Sequence, residues 1–430
     1  MAYTTPSTRE AAMMNLNRFF IPLFGLVVVI SGGPAWAGGV YLNEYATPSM
    51  GVAGAGAEAV ATDASTAFLL HNPAGMTRLE GNQLMLGGGF VVANVEFDPA
   101  SNTPIPGTDG GNAGGPAPIL SAFYTHSVSD DLKLGFNVIS ISGAVLDYGD
   151  AWAGRFLVKE VTLLTVNLNP SVAYRVNDWL SLGAGMSVMY AKLEQTVAVP
   201  PPMGTGEVKI DGDDFAFGFN LGVLFELSER TRIGIIYVSE IEPDFSGDAE
   251  ISPLGLSAGI NTEFPFAQLA RVGIYHELND QFALLGTVGW EDWSTLDAQL
   301  ISTARGSVTI PRNWKDTWHF SGGVHYRPAD RWLLQAGITY DTSPVDSDDR
   351  TPDLPIDRQI RYAVGAQYEW SETLTIGAAF EYADYGDADI SNPLLVGDYS
   401  RNELFFFGIN ASWKFGKPSA PPGAEAKSAK

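Results

Sequence analysis

The sequence predicts an all-β protein, a fourteen-stranded antiparallel transmembrane β-barrel with a small N-terminal helical hatch plugging its lumen. Three observations predict it. Segments of about ten residues alternate large apolar with small or polar side chains, the signature of a strand with two different environments. The breaks between them alternate between short turns and long Gly-, Pro- and Asp-rich loops. The segment before the first strand, residues 38–81, has no alternation at all.

Bulk properties agree. The chain has 430 residues with 47 Gly, 11% aromatic and only 17% charged residues, below the usual quarter for soluble domains. A mean hydropathy of +0.03 excludes a helical membrane protein. The net charge of −24 repels nucleic acid, so no nucleic-acid partner is expected. There are no cysteines, hence no disulfides and no thiol chemistry.

Taken in order, residues 1–37 read as a secretory signal: Arg18, an apolar core from Phe19 to Ile30, then Ala35-Trp36-Ala37 as cleavage site. The core is shorter than the roughly 20 residues a spanning helix needs. The long leader leaves Met13 or Met14 open as the true start. Residues 38–81 are rich in Ala and Gly, with helical stretches expected near 56–61 and 63–70. So short a unit cannot bury a core of its own and should pack inside the barrel. Within it, Asn72-Pro73-Ala74-Gly75 reads as a turn in which Pro73 stops a helix.

Residues 82–415 carry the strands. In "LSLGAGMSVMY" Leu180, Leu182, Ala184, Met186, Val188 and Tyr190 share one face, opposite Ser181, Gly183, Gly185 and Ser187. "RWLLQAGITY" and "TLTIGAAFEY" repeat the pattern. Short breaks at 129–131, 177–178, 228–230, 279–280, 328–330 and 371–372 make six turns, which with seven long loops require fourteen strands. Lipid forces such a sheet to close, since an open edge would leave backbone groups unbonded in hydrocarbon. Trp179, Trp290, Trp293, Trp332, Trp370 and Trp413 suit interfacial girdles. The last strand places Phe405, Phe407, Ile409, Ala411, Trp413 and Phe415 on one face, as expected of a substrate of the barrel-assembly machinery. Residues 416–430 read as a disordered periplasmic tail.

Several motifs in order carry a family resemblance. "LNEYATPSMGVAGAGAEAVATDASTAFLLHNPAGM", "YGDAWAGRF" (148–156), "WEDWS" (290–294), "PRNWKDTWHFSGGVHYR" (311–327) and "YDTSPVDSDDRTPDLPIDR" together resemble the FadL/TodX family of outer-membrane transporters for long-chain fatty acids and aromatic hydrocarbons. The resemblance implies a hatch-plugged barrel in the outer membrane of a Gram-negative bacterium. It further implies loop capture of an apolar ligand, an internal pocket, hatch movement, and lateral release at a kinked third strand. Asn72, Pro73 and Ala74 would then be gating residues lying against that kink, with Gly135 or Gly143 marking it. Where fatty-acid transporters can hold an aromatic inside the pocket, this chain has Val40, with Tyr41 next to it.

Arg271 and Lys133 point inward by parity. They could meet a ligand carboxylate, or pair with inward Glu residues or hatch carboxylates. Val199, Met203, Ile251, Leu254, Leu256 and Phe264 are apolar loop residues suited to ligand capture. Asp346, Asp348 and Asp349 form either a solvated loop or a divalent-cation bridge to lipopolysaccharide. His319 and His325 face inward but stand about 20 Å apart along the strand, too far to share a metal. No cofactor, metal or catalytic residue is expected. The expected partners are a hydrophobic small molecule and outer-membrane lipid with its lipopolysaccharide, and the expected state is a monomer. A general diffusion porin and a structural or adhesive barrel are the competing readings; the first predicts an open lumen, the second no cavity beside the hatch.

Overall fold

The structure is a computed structural model that describes residues 41–42, 46–200, 206–252, 254–304 and 306–416. The expected export signal (1–37), the expected tail (416–430) apart from Gly416, Val40 and Met203 lie outside the described residues. Fourteen strands form the wall: β1 (Asn82–Pro99), β2 (Pro116–Ser127), β3 (Leu132–Ile139), β4 (Glu160–Asn177), β5 (Leu180–Ala198), β6 (Glu207–Ser228) and β7 (Thr231–Val238). There follow β8 (Leu269–Glu277), β9 (Phe282–Glu291), β10 (Thr317–Ala329), β11 (Trp332–Asp341), β12 (Gln359–Ser371), β13 (Leu374–Asp384) and β14 (Leu395–Phe415). Each pairs antiparallel with its neighbours, and β1 with β14 closes the barrel from Asn82↔Phe415 to Pro99↔Gly397.

Alternation sorts the side chains as strand geometry requires. Leu182, Met186, Trp332 and Ile338 are exposed on the outside, whereas Ser181, Ser187, Gln335 and Thr339 are buried inside. Trp179, Trp332 and Trp370 are exposed near the short turns, as a girdle requires. Trp293 is a correction. It lies past the end of β9 in a 3-10 turn (Trp293–Thr295) that swings it inward, and it is only 3% exposed.

Two hairpins enlarge the loops. Strands Asp244–Ser252 and Leu256–Glu263 form one, Ala298–Thr303 and Gly306–Pro311 the other. The first pairs with the outer end of β6 and then with the second, so the wall rises on that side as a flap. Ile210, Phe245 and Ile260 are buried on the flap's inner face, while its hairpin tip carries Leu254 and Leu256 in the open.

β3 is interrupted at Ser140–Ser142 and resumes as Gly143–Asp147. Opposite the interruption, β4 supplies only Thr165 and Val166, because Ile139 pairs with Asn167 and Gly143 with Leu164. The Thr165 hydroxyl takes up the freed backbone groups, donating to Ser142 O (2.6 Å) and accepting from Ser142 N (3.2 Å). On the other side β2 pairs with β3 only as far as Ser121↔Ile139. Ala93 N donates to Gly115 O, so odd-numbered positions of β2 bond to β1 and even-numbered ones turn toward β3. Pro116 and Pro118 occupy two of those even positions and have no N–H to give. Gly135, by contrast, sits inside the regular ladder between Thr125 and Ser171.

Residues 46–81 wind through the lumen as three 3-10 helices, Pro48–Val52, Ala64–Ala67 and Pro73–Arg78, and one α-helical turn, α1 (Ala57–Val60). Helix was expected over 63–70 and to stop at Pro73. Instead Asp63 caps a single 3-10 turn, and Pro73 begins the last helix with Asn72 as its N-cap, accepting from Ala74 N at 3.0 Å. The first helical position tolerates proline because its N–H would be unbonded anyway. Glycines on the wall make room: a Cβ on Gly183, Gly222, Gly234 or Gly337 would overlap Ala74, Asn72, Glu58 or Val52.

Candidate functional site

Hydrogen bonds to several strands fix the segment within the wall. Asn72 Nδ2 donates to Glu58 O (2.9 Å) and to Val223 O of β6 (2.8 Å). Glu58, 1% exposed, accepts from Thr287 Oγ1 of β9 at 2.6 Å. Leu42 N donates to Ile141 O (2.9 Å), placing Leu42 in the interruption of β3. Asn72-Pro73-Ala74 therefore lies against β5, β6 and β7 through Gly183, Gly222 and Gly234, and Met76 of the same helix packs on Gly135 of the third strand, in its regular part and not at the interruption. The regular part of β3 is also held by Asn137, whose Nδ2 donates to Ala67 O at 2.6 Å.

Beside Leu42, Tyr41 enters an aromatic cluster. Its hydroxyl donates to Ala267 O (2.5 Å), its ring lies 5.2 Å from that of Trp293, and Trp293 lies 5.7 Å from Trp314. These three line a small cavity with Glu291, Asp341 and Arg361, with room for about one or two waters. The charges are interlocked. Arg271 bonds Glu291 (2.6 Å), whose other oxygen accepts from Trp293 Nε1 (2.8 Å); Asp341 takes His319 Nδ1 (2.7 Å) and Arg361 (3.3 Å). Arg271 thus pairs with an inward Glu, one of the two readings its parity allowed.

A second cavity, more apolar, is lined by Leu163, Leu193, Phe264 and Leu354, with Arg312 and Asp353 at its edge. Arg312 grips both oxygens of Asp353 (3.0 and 2.7 Å). Burial would raise the Asp353 carboxyl, but the guanidinium and neighbouring hydrogen bonds hold it below the ordinary carboxylate range. Over the barrel mouth Tyr148 bonds Pro352 O (2.9 Å) and Tyr399 (2.8 Å), and Trp152 stacks on Tyr148 at 4.1 Å. The motifs at 148–156 and 340–358 thereby meet as a roof.

The remaining candidates divide. Lys133 is buried but stands apart, donating to Ser127 Oγ (2.7 Å) beside the β2–β3 turn. Leu254 (64% exposed) and Leu256 (49%) are open, Val199 and Ile251 half-buried. Phe264 is a correction: at 4% exposed it faces the second cavity and Phe266, not solvent, because the chain leaving the flap turns it inward. Asp346 pairs with Lys315 and Asp349 with Asn313 (2.7 Å), so that acidic loop is partly bonded within the protein. Sequence reasoning missed Glu58, Glu291, Trp314, Asp341 and Arg361 as site residues. The Pro116-x-Pro118 pair was the available signal for the gap beside β3.

Comparison with known proteins agrees with this architecture. Residues 27–406 match the family described as outer membrane protein transport protein (OMPP1/FadL/TodX). The long-chain fatty acid transport protein of Salmonella typhi is 25% identical over 432 residues, covering 91% of this chain and 97% of its own. The 47 kDa outer membrane protein of Pasteurella multocida is 26% identical, covering 94% and 100%. A solved Pseudomonas aeruginosa FadL homologue shares the fold with TM-score 0.80 at 21% identity, covering 88% of this chain and 100% of its own. The Ralstonia pickettii toluene transporter TbuX does so with TM-score 0.68 at 18% identity, covering 88% and 99%. The chain thus belongs to the OMPP1/FadL/TodX family: it is a fourteen-stranded transport barrel of the Gram-negative outer membrane and not an enzyme.

Proposed function

We propose that this protein takes up hydrophobic compounds passively across the outer membrane and releases them sideways into the bilayer between β2 and β3. Relatives are named for fatty acids and for toluene, and hydrophobic small molecules are the class those share. Leu254 and Leu256 at the flap tip, with the apolar inner face behind them, favour capture there. The two cavities favour passage beneath the roof. Residues 38–81 act as the hatch, residues 1–37 as the export signal, and the aromatic face of β14 as the mark read by the assembly machinery. The observation that carries the reading is the Leu42 N–Ile141 O bond: the chain beside the aromatic cavity occupies the one place where β3 leaves its ladder.

The test uses the absence of natural cysteines. A Leu42→Cys/Ile141→Cys pair, oxidised to a disulfide in the assembled barrel, is expected to block uptake of hydrophobic probes, and reduction to restore it. Full uptake by the oxidised protein would rule out release at β3 gated by this segment.

A further inference from the structure

We infer that the ligand of this barrel is uncharged, a hydrocarbon or an ester and not a carboxylate; the inference rests on the transport reading above. A carboxylate entering an apolar site needs a cation to replace its water. Around the Tyr41 cavity the cations are Arg361, which lines it, and Arg271, which stands behind the lining Glu291. Each already holds a carboxylate of the protein. Arg271 is taken by Glu291 at 2.6 Å and Arg361 by Asp341 at 3.3 Å, with Gln359 Oε1 also accepting from Arg361 at 2.7 Å; His319 Nδ1 lies 2.7 Å from the same Asp341. The two carboxylates and two guanidinium groups balance, so the cluster offers no net positive charge to draw in an anion.

The second cavity is closed in the same way. Arg312 spends both terminal nitrogens on Asp353, and one of them also on Gln299 Oε1 at 2.6 Å. Lys133 lies at the far turn, away from both cavities. Among the described residues, then, a ligand carboxylate reaches a cation in either cavity only by displacing Glu291, Asp341 or Asp353 and leaving it buried without its partner. Breaking a buried pair in that way corresponds to about 10² to 4 × 10³ in Kd. What the Tyr41 cavity does offer is ring surface: Tyr41, Trp293 and Trp314 present faces and edges that suit a neutral aromatic or a hydrocarbon chain. Size does not discriminate, because the cavity must widen for either class.

Oleate and methyl oleate differ at the charged group while sharing one chain, and naphthalene supplies a neutral ring. Their binding to the purified full-length protein in detergent at pH 8 is the measurement. Methyl oleate is expected to bind about 10²-fold tighter than oleate, with naphthalene bound, and Glu291→Gln is expected to narrow the gap by freeing Arg271. Oleate binding as tightly as its ester in the unaltered protein would overturn the inference and leave the transport reading standing. Binding of none of the three would remove the transport reading itself. The ester comparison needs no variant, so a misfolded Glu291→Gln would not spoil it.

Discussion

Replacing Asn72 by Ala should loosen the luminal segment without harming the barrel. The side chain is 1% exposed and makes three hydrogen bonds, to Glu58 O, Val223 O and Ala74 N. Losing the N-cap costs about 1 kcal/mol. Leaving Glu58 O buried without its donor adds about 1–3 kcal/mol, and Val223 O, which sits in a strand ladder, adds little. The total of about 2–4 kcal/mol raises the undocked population of the segment roughly 30- to 1000-fold. Hydrogen exchange followed by mass spectrometry reads this directly: amides of 46–81 should exchange faster by that factor while β8 to β13 stay protected. Uptake of hydrophobic probes should fall at unchanged surface abundance. Exchange within threefold of the unaltered protein would refute the view that these bonds hold the segment in place.

Two further outcomes follow from the wall and the roof. Val364, near the middle of β12 and 55% exposed to lipid, should not tolerate charge; Val364→Arg is expected to cost about 2–4 kcal/mol, read as a lower urea midpoint for barrel unfolding. Acid should open the roof at Asp353. Because its folded carboxyl lies below the unfolded value of about 4, its stabilisation is present above that value and lost as pH falls through the folded one. Proteolysis of loop 342–358 should stay constant from pH 8 to 5 and rise only below about 4.

Much of the fold was legible because a strand reports its two environments residue by residue. Ser181 and Leu182 already differ as the wall requires, and all six short turns fall where the structure puts them. Legibility stops where parity stops. Trp293 left the girdle because the chain turns into a 3-10 helix after β9, and Phe264 left solvent because the chain leaving the flap turns it against Phe266 and the second cavity. Asn72 meets β6 and β7 through gaps that Gly222 and Gly234 leave, and no local pattern says which strands a luminal segment will face. At the third strand, glycine was an incomplete guide. Gly143 does border the interruption, but the missing hydrogen bonds there involve the prolines of a neighbouring strand.

Pro116 and Pro118 give that neighbour an unusual permanence. A ladder broken by side-chain strain can re-form in a fluctuation, whereas a nitrogen without a hydrogen never can. The seam between β2 and the outer part of β3 is thus written into covalent structure and does not depend on membrane thickness, voltage or temperature to exist. Whatever control passes through it must come from its occupant, and in this chain the occupant is bonded there by the backbone of Leu42, a contact that substitution of side chains alone cannot erase.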